Sequence, residues 1–73
     1  MPTIDICATG KNIKQIMTCA GKTVKDVQHA CGLTTGNAVY KWIHGSALPS
    51  IDNLVVLAEM FGVRLDDIIV TKS

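Results

Sequence analysis

The stretch Thr23–Gly45, TVKDVQHACGLTTGNAVYKWIHG, decides how the chain folds. Thr23 is a good helix N-cap, and Asp26 three residues on supplies the acidic partner of a capping box. Val24, Val27, Ala30 and Cys31 then recur at helical spacing and predict a buried stripe. Gly32 ends that helix, and Cys31-Gly32-Leu33-Thr34-Thr35 reads as a tight turn. A second helix is expected over 35–43, with Thr35 as N-cap, Thr34 as the alternative cap and Gly36 as the first helical residue. Its residues sort into two faces. Asn37, Tyr40, Lys41 and His44 lie at i, i+3, i+4 and i+7, and Ala38, Val39, Trp42 and Ile43 lie opposite. One face is suited to burial, with Trp42 as a core residue, and the other can meet something polar.

Upstream, Lys11 to Ala20 predicts a first helix with Ile13, Ile16, Met17 and Ala20 as its apolar stripe and Gly21 as its end. Residues 1–10 carry no clear period. Thr3-Ile4-Asp5-Ile6-Cys7 alternates weakly, and the segment is expected to be an N-terminal arm on the first helix or on a partner chain. Downstream, Ser46-Ala47-Leu48-Pro49 is a loop and Ser50 an N-cap. Leu54, Leu57, Ala58 and Phe61 mark a fourth helix that ends at Gly62. Leu65 to Ile69 predicts one or two last turns, with Asp66 and Asp67 near their positive end, and 71–73 is expected to fray. The organisation is thus one domain over 11–70, all-α, a compact bundle of four to five short helices.

At 73 residues the chain has room for a single domain. A 48% hydrophobic content with only 4% aromatics calls for an aliphatic interior, which suits a small helical bundle better than a β-sandwich. The net charge of +1 is uninformative, but its distribution is not. Residues 1–49 set Lys11, Lys14, Lys22, Lys25 and Lys41 against Asp5 and Asp26, a net of +3. Residues 50–73 set Arg64 and Lys72 against Asp52, Glu59, Asp66 and Asp67, a net of −2. Positive charge travels with the two-helix stretch. Cys7, Cys19 and Cys31 form no CxxC, and no leader or long apolar run is visible, so a reducing cytoplasm with free thiols and no membrane association is expected. Cys19 and Cys31 fit helix apolar faces as small hydrophobes. No Cys-His or Ser-His-Asp pattern, Gly-rich phosphate loop or metal-ligand spacing appears, so neither catalysis nor a metal or cofactor is expected.

Between Thr23 and Asn53 the chain resembles the Cro/phage-repressor-type, or XRE-like, helix-turn-helix family. The residues that carry the resemblance are Val27-Gln28-His29-Ala30-Cys31-Gly32, Asn37-Ala38-Val39-Tyr40-Lys41-Trp42, Gly45, Leu48-Pro49 and the run Leu54 to Val63. No single piece is distinctive, but their order and spacing are, over Ile13 to Ile69. Two departures stand out. Gln28 occupies a position that is usually Ala in the family, and the turn at Leu33-Thr34-Thr35 is one residue longer than its commonest form.

The resemblance implies a lambda-repressor-like domain and a bacterial or phage transcriptional regulator whose second helix of the pair lies in the major groove of double-stranded DNA. Thr35, Gly36, Asn37, Tyr40 and Lys41 become the base-reading candidates, since an amide pairs with adenine N6 and N7 and a lysine donates to guanine O6 and N7. Lys22, Thr23, Lys25, Thr34, His44 and Ser46 become the phosphate candidates. Tight binding would need a homodimer on two operator half-sites, formed through the fourth helix, the last turns or the N-terminal arm. No small-molecule ligand is expected. The competing reading is a protein-interaction module, or the antitoxin of a toxin–antitoxin pair, on the same fold.

Overall fold

Five helices and one short β-ribbon build the chain, seen in a computed structural model that describes residues 2–72. In order they are β1 (Thr3–Ile4), α1 (Ile6–Ala20), α2 (Val24–Ala30), α3 (Asn37–Ile43), α4 (Ile51–Phe61), α5 (Leu65–Ile68) and β2 (Thr71–Lys72). The all-α bundle expected from the sequence is the fold. None of the helices is long and apolar enough to cross a membrane.

The helix ends follow the cap chemistry. Thr23 Oγ1 accepts from Asp26 N, and Asp26 Oδ2 accepts from Thr23 N at 2.9 Å, a complete capping box. Ser50 caps α4 in the simpler way, its hydroxyl accepting from Asn53 N at 3.2 Å. At the close of α2 the Gly32 N–H donates to His29 O and the Leu33 N–H to Gln28 O. This is the Schellman arrangement, and it needs the left-handed backbone that Gly32 adopts with φ +67°.

The core is aliphatic with one tryptophan. Ile13, Met17, Val27, Val39, Trp42, Leu54, Leu57 and Ile68 are buried, drawn from all five helices. Each contributes about 1.5–3 kcal/mol by leaving water. The expected stripes hold at Ile13 and Met17, at Val27, and at Leu54 and Leu57. They fail at Ala20 and Ala30, which are exposed. Cys19 is also exposed, against its expected place on an apolar face, and Cys31 is half-buried. Cys19 and Ala20 lie in the last turn of α1, on an open groove shared with Phe61 and Val63, and Ala30 is the last residue of α2.

The main correction concerns the chain ends. Residues 3–10 are not an arm but belong to β1 and α1. Asp5 Oδ1 accepts from Ala8 N and caps a helix that begins at Ile6, a full turn before the expected Lys11. Thr9 and Gly10 lie inside that helix and are buried. A hydroxyl and a bare backbone gave no apolar signal, yet both positions are dictated by packing. A Cβ on Gly10 would stand 2.3 Å from Trp42 O and 2.7 Å from Ile43 O, so α1 rests its backbone directly on the end of α3. Residues 71–72 do not fray either. β2 pairs antiparallel with β1, Thr3 opposite Lys72 and Ile4 opposite Thr71. Ser73, the last residue of the segment expected to fray, and Met1 of the expected arm lie outside the described residues.

What seats the C-terminal segment is a set of polar contacts from α1. Thr9 Oγ1 accepts from Val70 N at 3.0 Å and donates to Val70 O, while Asp5 N donates to the same carbonyl at 2.8 Å. Asn12 Nδ2 donates to Asp67 O and Ile68 O, taking up carbonyls at the end of α5. Thr9→Val keeps the shape but removes both bonds of the hydroxyl. It is expected to cost about 1–2 kcal/mol and to lower Tm by roughly 5–10 °C for a domain of this size. Faster amide exchange at Val70 would accompany it, and an unchanged Tm would show that the hydroxyl is not needed there.

Candidate nucleic-acid interface

α3 presents the two faces expected of it. Val39 and Trp42 are buried, and Ala38 and Ile43 are half-buried against the core. Asn37, Tyr40, Lys41 and His44 are exposed on the other side, Tyr40 by 52%. The rings of Tyr40 and His44, one turn apart, stack with centroids 6.5 Å apart and planes inclined by 23°. Lys41 sits in the last turn, where its charge complements the helix dipole. Among the described residues, the four side chains of the outward face remain exposed.

The start of α3 differs from the expectation. The helix begins at Asn37, with Gly36 as N-cap, instead of at Gly36 with Thr35 as N-cap. Thr35 still serves the end: its hydroxyl accepts from Asn37 N at 3.3 Å. The helical signal favoured a Thr cap because its side chain can accept, but the longer turn sets that side chain one residue too early. Gly36 has a second reason to be glycine. A Cβ there would stand 3.1 Å from Val24 Cγ1, so the close approach it permits is toward α2. Asn37 is therefore the first helical residue on the exposed face.

Next to that face lies an open cleft. Lys14 from α1, Lys22 and Thr23 from the connection to α2, and Tyr40 and His44 from α3 line it, over the apolar side chains of Met17, Val24 and Ile43. Four of the sequence-predicted residues, Lys22, Thr23, Tyr40 and His44, are thus brought into one concave basic surface. Lys14 joins them and was missed; its only signal was a lysine off the apolar stripe of α1. Lys25, Thr34, Thr35, Lys41, Asn37 and Ser46 are all exposed but lie outside this cleft, on α2, the turn, α3 and the loop after it. The Thr23 hydroxyl accepts from Asp26 N, and its proton is directed to the Asp26 carboxylate.

Thr23 also sets the one shifted carboxylate of this region. The backbone N–H of Thr23, then its hydroxyl, hold the Asp26 carboxyl below its ordinary range, with Lys22 and His29 adding smaller attraction. A depressed acid stabilises the fold above its unfolded pKa, and that stability is lost as pH falls through the lowered folded value. Below about pH 4 the wild-type chain is therefore expected to lose stability faster than Asp26→Asn. Parallel acid limbs in thermal melts would show that the capping box does not hold in solution. Burial pushes the Cys31 thiol up, consistent with a packing role.

Two packed helices, the second with a free polar face beside a basic cleft, define a helix-turn-helix domain. A model of the helix-turn-helix family matches residues 13–68. The chain belongs to that family, in its XRE-type branch of DNA-binding regulators. Among solved structures it is similar to the restriction-modification controller protein C.AhdI from Aeromonas hydrophila, with a TM-score of 0.77 and 19% identity over 88% of this chain and 96% of that one. At that identity the likeness shows the shared fold. No curated protein sequence matches the chain.

Proposed function

We propose that the chain is a sequence-specific binder of double-stranded DNA that regulates transcription by laying α3 in the major groove. The exposed face of α3, continuous with the basic cleft, is the observation that carries this reading. Asn37, Lys41, Thr35, Gly36 and Tyr40 meet the bases, with Asn37 and Lys41 supplying the hydrogen-bond discrimination. Lys22, Thr23, Lys25, Thr34, His44 and Ser46, joined by Lys14, hold the backbone on either side. The controller protein that shares the fold is, by its name, itself a regulator.

Two copies act together on half-sites about one helical turn apart. β1 and β2 pair with each other in one two-stranded ribbon. The exposed large aliphatic side chains are Ile4, Leu48, Ile51 and Val55, by 44%, 39%, 75% and 50%. The second copy joins at least on the DNA.

Fluorescence anisotropy with labelled duplexes across a salt series tests the proposal. Affinity is expected to fall steeply and linearly on a log–log plot. Absence of salt-sensitive binding to any duplex would refute it.

A further inference from the structure

The two departures from the family pattern, the glutamine at position 28 and the longer turn, meet in space. We propose that Gln28 is a positioning residue for base reading: it spans the connection between α2 and α3 and fixes where Asn37 stands. This deepens the proposed function and rests on it.

Gln28 grips Leu33 twice. Its backbone carbonyl accepts from Leu33 N at 3.0 Å, and its side-chain Nε2 donates to Leu33 O at 3.4 Å. The other end of the same amide reaches the far side of the turn, where Oε1 lies 3.7 Å from the place a Cβ would take on Gly36. Between these two points Thr34 and Thr35 are exposed. A half-buried amide beside Val24 and Val27 is costly unless bonded. Here it is bonded to the segment that an alanine would leave unsupported.

The consequence follows from adjacency. Gly36 caps α3 and Asn37 begins it, so any slip of the turn moves the Asn37 amide directly. A bidentate contact to a base edge tolerates only small displacements, since hydrogen bonds weaken steeply with distance and angle. Phosphate contacts from lysines tolerate more. Loss of the Gln28 side chain therefore costs selectivity before it costs general affinity.

The test compares the wild-type chain with Gln28→Ala and Gln28→Glu. The latter keeps the size but replaces the donor that faces Leu33 O with a carboxylate. The probes are a duplex drawn by the wild-type chain from a random pool and the same duplex with the Asn37-read base pair changed. Discrimination between the two is expected to fall about fivefold or more in both variants, with binding to the changed duplex and the salt slope of the neutral Gln28→Ala as in the wild type. Amide NMR shifts in the free protein are expected to change mainly over Leu33–Tyr40. Unchanged discrimination, or equal losses on both duplexes alongside a lower Tm, would overturn the proposal. Shift changes spread over the whole core would do so as well. A wild-type chain that selects no duplex would instead remove the DNA-reading proposal, with the NMR shifts still deciding whether Gln28 holds the turn.

Discussion

Gly10→Ala is expected to destabilise the fold by about 3 kcal/mol or more. On helix propensity alone the change should help, by about 0.5–1 kcal/mol, because glycine is a poor helix former. The contact decides otherwise. The added methyl would lie 2.3 Å from one backbone carbonyl oxygen and 2.7 Å from the next, both at the end of α3, and no side chain can swing away to admit it. α1 and α3 must separate, which opens the packing around Trp42, Val39 and Ile13. A chain of this length has a total stability of roughly 4–11 kcal/mol, so much of it is at stake. Urea unfolding of the two proteins measures the difference. A variant as stable as the wild type would show that the two helices do not touch at this point.

Asn37→Ala is expected to cost about 1–3 kcal/mol of DNA affinity on the preferred duplex and to relax the preference at one base pair. The residue is exposed, on a helix surface. The loss should therefore leave Tm unchanged. Lys25→Ala provides the contrast: weaker binding to every duplex alike, with the salt slope reduced by about one. Equal losses on every sequence for Asn37→Ala would remove it from base reading.

The residues that were legible in the sequence are those whose job is local. The Thr23–Asp26 box, the Ser50 cap and the glycine ends act within one turn of helix, so their spacing declares them. The two-faced pattern of α3 is likewise a property of a single helix, and Trp42 fell on its buried side as expected. Contacts between distant parts of the chain left no such trace. Thr9 and Asn12 are polar, and their partners Val70, Asp67 and Ile68 stand more than fifty residues away. Gly10 closes a segment with no clear period, whereas it is the point where two backbones meet. The start of α3 was off because the cap rule locates an acceptor hydroxyl, and Thr35 does accept, but from a turn outside the helix. Lys14 was invisible for a related reason: a lone lysine acquires meaning only when folding sets it beside Lys22 and His44.

Selection of bound sequences from a random duplex pool, by the full chain at moderate salt, tests the central claim most directly. The account predicts enrichment of a short motif repeated as two inverted half-sites about 10–10.5 base pairs apart, lost at one position in Asn37→Ala. A pool that returns no enriched motif from a folded wild-type chain would contradict it.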